Sequence, residues 1–154
     1  MTIETNRERI TALDWALLAT RVLVGVMFAA HGAQKLFGAF GGAGLSGIVS
    51  MLGPVGYLVA VGEFFGGLGI ALGILSRFSA AANVAVMLGA IAMVHGKVGF
   101  FMNWTGSQAG EGYEFHLVAI AALIPILVAG PGRLALGRLL VPERAGRRLQ
   151  EAFV

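Results

Sequence analysis

Four long runs of apolar residues, separated by short polar or glycine-rich segments, dominate the chain. We predict helices over about Asp14–Phe37, Val55–Leu75, Phe78–Val94 and Glu114–Ala129. A helix rises 1.5 Å per residue, so about 20 apolar residues cross the roughly 30 Å hydrocarbon core of a bilayer. The pattern therefore predicts an all-α fold, an integral membrane four-helix bundle.

The segments that connect these runs predict where helices begin and which helices are neighbours. Asp14 is the predicted N-cap of the first helix, and Pro54 is placed to begin the second. Segment 38–54 carries no charge and contains the apolar stretch Leu45–Leu52, so we expect it to lie at the membrane interface or to fold back into the protein. The very short turn around Arg77 makes the second and third helices antiparallel neighbours.

Basic residues predict the orientation in the membrane. They concentrate before the first helix, at the turn between the second and third helices, and after the fourth: Arg7, Arg9, Arg77, Arg133, Arg138, Arg144, Arg147 and Arg148. The positive-inside rule then places both termini in the cytoplasm. We divide the chain into a cytoplasmic tail (1–13), a four-helix membrane domain (14–132) and a basic amphipathic tail (133–154) on the anionic membrane surface.

Composition supports a membrane protein and excludes some chemistry. Hydrophobic residues make up 57% of the chain and charged residues only 12%, against roughly 25% in soluble proteins. The net charge of +3 is explained by topology and lipid contact, so we predict no nucleic-acid partner. The sequence has no cysteine, which excludes a dithiol relay or a cysteine-ligated metal within this chain.

Ionisable residues inside the apolar runs are the candidate functional residues. A carboxylate in the hydrocarbon core is costly unless it is protonated, paired or hydrated, and such residues are often functional. In the predicted topology the ends of helices one and three and the starts of helices two and four share the outer face. This places five ionisable residues together, as a site for ligand or quinone binding or for proton relay: His31, Lys35, Glu63, His95 and Glu114.

A purely structural interpretation of these residues stays open. Glu63 could form a buried pair with Lys35 or His31 that fixes the helix register. His31 and His95 could be hydrogen-bonded packing residues. A ligand-sized cavity between His31 and Glu63 would favour function, and a closed ion pair without a cavity would favour architecture.

Metal and haem are disfavoured by the positions of the histidines. A bis-histidine haem needs two histidines at matching depth, and His31 is predicted to lie deeper than His95 and His116. No metal-binding spacing is present, so we also disfavour a non-haem metal held with Glu111 or Glu114. We expect Glu111 and His116 to be solvated.

Three further polar residues are predicted to be structural. Arg21, near the cytoplasmic end of the first helix, can snorkel or pair with Asp14 or a neighbour. Arg77 lies at the turn before the third helix, and Asn83 is placed to hydrogen-bond to a neighbouring helix. The second helix also carries a stripe of small residues that we assign to helix packing: Gly62, Gly66, Gly69 and Gly73.

Several of these motifs together resemble the DoxX family of small bacterial membrane proteins. The first-helix motif runs from Arg21 to Gly38 and includes His31-Gly-Ala-Gln-Lys35-Leu-Phe-Gly38. The second begins Glu63-Phe-Phe-Gly-Gly67 and ends at Arg77. The later motifs of the resemblance are Ala92-Met-Val-His95-Gly-Lys97, Gly99-Phe100-Phe101, Gly112-Tyr113-Glu114 and Gly130-Pro131-Gly132.

The resemblance implies a multi-pass protein of the cytoplasmic (inner) membrane with a redox association. Our first hypothesis is a membrane subunit of a quinone-linked oxidoreductase system, with quinone as cofactor and redox proteins as partners. The alternatives are a non-catalytic assembly or scaffold subunit and a small proton-coupled carrier. A homo-oligomer is also open because small-residue stripes can pack between copies.

Overall fold

The computed structural model describes residues 10–140, and every regular element among them is helical. The helices are α1 (Ala12–Phe37), α2 (Gly44–Leu52), α3 (Val55–Leu72), α4 (Ser76–Met93), α5 (Glu114–Ala129) and α6 (Gly137–Leu140), with 3-10 turns at Ala39–Gly41 and His95–Lys97. No strand occurs in this part of the chain, which confirms the all-α class. Residues 1–9 and 141–154 lie outside the description. Five of the basic residues on which the predicted orientation depends are therefore outside it too: Arg7, Arg9, Arg144, Arg147 and Arg148.

Among residues 10–140, three helices are long and apolar enough to cross a membrane. These are α1 with 26 residues and α3 and α4 with 18 each. Helix α5 is apolar but shorter, with 16 residues. The lengths and composition of α1, α3 and α4 are those of a multi-pass membrane protein.

Helix α1 begins two residues earlier than expected, and the predicted N-cap is wrong. Thr11 is the N-cap, and its hydroxyl accepts a hydrogen bond from the Asp14 amide at 3.3 Å. The Asp14 carboxylate accepts in return from the Thr11 amide at 2.9 Å, which completes a capping box. Asp14 also accepts from the Arg133 amide at 3.0 Å, so it ties the start of α1 to the segment after α5.

The predicted turn between the second and third helices is displaced by a few residues. Helix α3 ends at Leu72, not Leu75, because Gly73 adopts a left-handed conformation with φ of 74° and caps the helix. Helix α4 then begins at Ser76, so Arg77 lies in its first turn and not in the connection. Segment 38–54 contains α2, which packs back onto α1 and α3.

Helices α1 and α3 approach closely through glycines. A Cβ added at Gly67 would lie 2.7 Å from the Gly25 carbonyl oxygen. A Cβ at Gly32 would lie 2.6 Å from the Cβ of Phe64. Only residues without a side chain allow the two backbones to lie this close together.

The predicted glycine stripe divides between two roles. Gly62, Gly66 and Gly69 face α4, where a Cβ at Gly69 would lie 2.6 Å from the Ser79 hydroxyl oxygen. Gly73 instead ends the helix. The core lies where the four longer helices meet and includes the fully buried side chains of Phe28, Ile70, Leu123 and Ile126.

Candidate functional site

A buried ion pair joins α1 to α3. Lys35 Nζ donates to Glu63 Oε2 at 2.5 Å, and the Glu63 side chain is only 4% exposed. The local packing explains the contact, because Gly32 lies against Phe64, the residue next to Glu63, and Lys35 follows Gly32 by almost one helical turn. The pair offsets much of the cost of burying the carboxylate.

A cavity of about 600 Å³ lies beside this pair. It is found at the end of the bundle where α1 and α4 end and α3 and α5 begin, which we call the cavity end. All ionisable residues of its wall come from α1, α3, α5 or the segment between α4 and α5: His31, Lys35, Glu63, His95, Glu111 and His116. The rest of the wall is apolar and is formed mainly by α2, the start of α3 and the C-terminal half of α4.

Two histidines of the cavity wall contact each other. The ring centroids of His95 and His116 are 4.2 Å apart. His95 Nδ1 lies 2.7 Å from the Glu111 carbonyl oxygen, and because a carbonyl only accepts, Nδ1 carries the hydrogen. In a neutral His95 ring, Nε2 is then the hydrogen-bond acceptor.

His116 is buried, so the expectation that it would be solvated was wrong. It is 6% exposed, and its Nδ1 has no hydrogen-bond partner among residues 10–140. Its position could have been found from helical periodicity, because His116, Ala119, Leu123 and Ile126 form the buried face of α5. Glu111 is exposed, as expected, although it also lines the cavity; its carboxylate accepts a hydrogen bond from the Asn103 amide at 2.6 Å.

The structure does not bring Glu114 to the cavity. Its carboxylate accepts from the Met102 amide at 3.2 Å, so it holds the segment before α5 against the start of that helix. The other four predicted site residues line the cavity wall. His31 lies in the wall 5.9 Å from the Phe115 ring, measured between centroids.

Arg21 is buried and does not snorkel or pair with Asp14. It is 2% exposed, and its guanidinium donates to the carbonyl oxygens of Ala71 and Leu134. The Ala71 carbonyl belongs to the last turn of α3, where carbonyls lack helical partners and a cation is favourable. Arg21 therefore joins α1 to the end of α3 and to the segment after α5.

Arg77 and Asn83 also donate to backbone carbonyls of other helices. Arg77 Nη2 lies 3.2 Å from the Val128 carbonyl oxygen at the end of α5. Asn83 Nδ2 lies 3.4 Å from the Gly62 carbonyl oxygen of α3, in addition to an intrahelical bond to Ser79 at 3.0 Å. These contacts link α4 to both of its neighbours.

The side chains of the cavity wall can both donate and accept hydrogen bonds. Lys35 only donates hydrogen bonds and the carboxylate of Glu63 only accepts them. A neutral histidine donates from one ring nitrogen and accepts at the other. Within the described part of the chain, no three His, Asp or Glu side chains are grouped so that they could hold a metal ion. The arrangement is suited to a ligand with polar atoms at one side and an apolar body.

Comparison with known proteins identifies the family. Residues 16–96 match the DoxX family model, which is just over half of the 154 residues. No curated protein and no solved structure matches the chain. The matched region contains most of α1 and all of α2, α3 and α4, including the Lys35–Glu63 pair, whereas Glu111 and His116 lie beyond it. The chain belongs to the DoxX family.

Proposed function

We propose that the chain is a membrane subunit of a quinone-linked oxidoreductase system and binds the quinone head group in the cavity. One observation carries the proposal: a cavity of about 600 Å³ lies directly beside the buried Lys35–Glu63 pair. Small-molecule sites usually measure about 300–1,000 Å³ and combine apolar walls with a few polar groups. The resemblance to a redox-associated family supports the choice of a quinone among membrane-dissolved ligands.

The residues of the wall fit a quinone by their hydrogen-bonding capacity. Lys35 keeps two N–H groups beyond the one given to Glu63, and these can donate to a quinone carbonyl oxygen. Glu63 and His95 Nε2 can accept from the hydroxyl groups of the reduced form. The quinone supplies the electron-accepting chemistry when bound, and this chain binds and orients the ring and exchanges protons with it.

The apolar side of the cavity suits the body of such a ligand. Met51, Leu58 and Met93 line the cavity and are also more than half exposed on the surface of the helices. In a membrane protein, exposed apolar side chains of this kind contact lipid. A ligand dissolved in the bilayer would therefore reach the cavity between α2, α3 and α4, with its apolar tail toward the lipid.

The topology belongs to the same proposal. Helix α5 would make a fourth crossing of the membrane. Its 16 residues span about 24 Å, and the residues on either side of the helix together with local thinning of the bilayer would cover the remaining few Å of the hydrocarbon core. The described basic residues at the end opposite the cavity, Arg77, Arg133 and Arg138, support cytoplasmic termini in the inner membrane. The cavity would then open on the outer half of the bilayer.

Direct titration tests the binding function. We expect decylubiquinone, a benzoquinone with a ten-carbon tail, to bind saturably to the protein in lipid nanodiscs, with about one site per chain. Decanol, which has the tail but no quinone ring, should not compete. Glu63→Gln should weaken binding at least tenfold in a folded protein. If the protein adds no saturable binding to that of empty nanodiscs, the proposal is wrong.

The ion pair favours a second candidate, a non-catalytic scaffold subunit. Lys35 and Glu63 are joined at 2.5 Å, and Arg21, Arg77 and Asn83 all connect different helices. In a scaffold, Glu63→Gln would lower the unfolding temperature and no quinone would bind at all. The nanodisc titration therefore separates the two functions.

A further inference from the structure

We propose that the cavity accepts quinones with one-ring and with two-ring head groups about equally well, because flexible methionines form part of its apolar wall. The inference rests on the proposed function and names the class of quinone that binds. It starts from the distribution of methionines. Four of the five methionines among residues 10–140 line the cavity: Met51, Met87, Met93 and Met102. The fifth, Met27, packs against the hydrophobic core of the bundle instead.

The methionine side chain adapts its shape to what it contacts. It is unbranched, rotates about three single bonds and carries a polarisable sulfur that makes favourable contacts with aromatic rings. Proteins that bind many different partners use methionine-rich surfaces, because such surfaces can repack around each partner. A wall with several methionines can therefore close around rings of different width.

The structure leaves three of the cavity methionines room to move. Met51 is 70% exposed and Met93 is 54% exposed, and Met102 is half-buried. Small residues of α4 also form part of the wall and leave space for neighbouring side chains: Ala85, Gly89 and Ala90. Met87 is buried, so we assign the adaptation to the other three methionines.

The polar side of the cavity, in contrast, is fixed. Lys35 Nζ lies 2.5 Å from Glu63 Oε2. His95 Nδ1 is held by the Glu111 carbonyl oxygen at 2.7 Å. All quinones share the ring carbonyl groups, whereas ring width and ring substituents differ between classes. Fixed polar groups suit the shared carbonyl group, and a flexible methionine wall suits the part of the ligand that varies.

Two ligands with the same ten-carbon tail test the inference. Decylubiquinone has one ring, whose methoxy groups turn about single bonds, and a decyl naphthoquinone has two fused rings that are rigid. In nanodisc titrations, with ligand concentrations expressed per lipid, we expect the two Kd values of the original protein to lie within about threefold of each other.

A stiffened wall should separate the two ligands. Isoleucine is close to methionine in volume, but its branch at Cβ restricts the side chain to few rotamers. In a variant that combines Met51→Ile, Met93→Ile and Met102→Ile, the wall can no longer adapt. We expect the Kd for the rigid naphthoquinone to rise at least tenfold and that for decylubiquinone to rise less than about threefold.

Met27→Ile is the matched control, because it makes the same chemical change at a methionine outside the cavity wall. It should leave both Kd values unchanged. Thermal unfolding without ligand checks that the triple variant is folded. If it is not, Met51→Ile and Met93→Ile are measured singly, and each should raise the Kd for the naphthoquinone at least threefold while leaving that for decylubiquinone unchanged.

Each contrary result has a defined meaning. A difference larger than threefold between the two ligands in the original protein would overturn the inference while leaving quinone binding intact. Equal changes of both Kd values in the folded isoleucine variants, or no change of either, would overturn it too. If the original protein binds neither quinone, the proposed function fails and this inference fails with it.

Discussion

A side chain placed in the cavity from α4 would test directly whether the ligand binds there. Gly89 lines the cavity, and a Cβ built on it would meet no atom within 4 Å outside its own helix turn. Gly89→Leu should therefore place its side chain in the cavity without pushing the backbone of another helix. The substitution also replaces a helical glycine with a good helix former, which gains about 1 kcal/mol.

Gly89→Leu is expected to keep or raise the stability of the protein and to lower its affinity for quinone, so the two measurements should move in different directions. We expect the unfolding temperature to stay level or rise, because the cavity has room for the new side chain and the helix gains propensity. We expect the Kd for decylubiquinone to rise at least tenfold, about 1.4 kcal/mol, because the side chain occupies the space of the ligand. Loss of binding would then not result from loss of structure.

The assay is nanodisc titration together with thermal unfolding. Ala92→Leu is the matched control, because Ala92 lies on the same helix, is exposed and does not line the cavity. It should leave both measurements unchanged. Unchanged binding by Gly89→Leu would show that the ligand does not occupy the cavity, and a fall in its unfolding temperature would refute our account of the open space at Gly89.

The remaining predictions concern stability and are checked by thermal or denaturant unfolding in detergent. Lys35→Met should cost about 3 kcal/mol because it leaves a buried carboxylate without its partner, and adding Glu63→Gln should recover most of that loss; a double variant no better than the single one would contradict this. Arg21→Met should cost about 2 kcal/mol because two hydrogen bonds from a charged group are lost, and an unchanged unfolding temperature would speak against their contribution. Gly67→Ala should cost about 1–3 kcal/mol because the new Cβ would lie 2.7 Å from a carbonyl oxygen of α1, whereas Gly89→Ala should be neutral or stabilising; equal effects at the two positions would refute the distinction.

The helices were predictable because apolar runs of membrane length are a strong signal. The bounds of α5 agree with the prediction at both ends. The errors occur at helix ends, where local geometry decides. At Thr11 a capping box begins α1 early, and at Gly73 a left-handed cap ends α3 early, and both depend on backbone conformations that apolar periodicity does not encode.

The site was predictable only in part. The prediction that residues of helix one would lie near Glu63 follows from topology, and the structure selects Lys35 as its partner among the two alternatives. The cavity could not be predicted, because it depends on how far α4 stands from α2 and α3, and that distance is set by packing across the whole bundle. Glu114 illustrates the same limit: topology places it at the correct end, but its carboxylate binds a loop amide away from the cavity.

Photolabelling in the membrane tests the central claim most directly. A decylubiquinone analogue with a photoreactive group on its ring would be activated in nanodiscs, and the modified residues mapped by mass spectrometry. We expect labels on cavity-lining residues that are not exposed to lipid, such as Val59 and Met87, and we expect excess decylubiquinone to suppress them. Labels spread evenly over lipid-facing residues such as Leu23 and Phe65, without competition, would contradict quinone binding in the cavity.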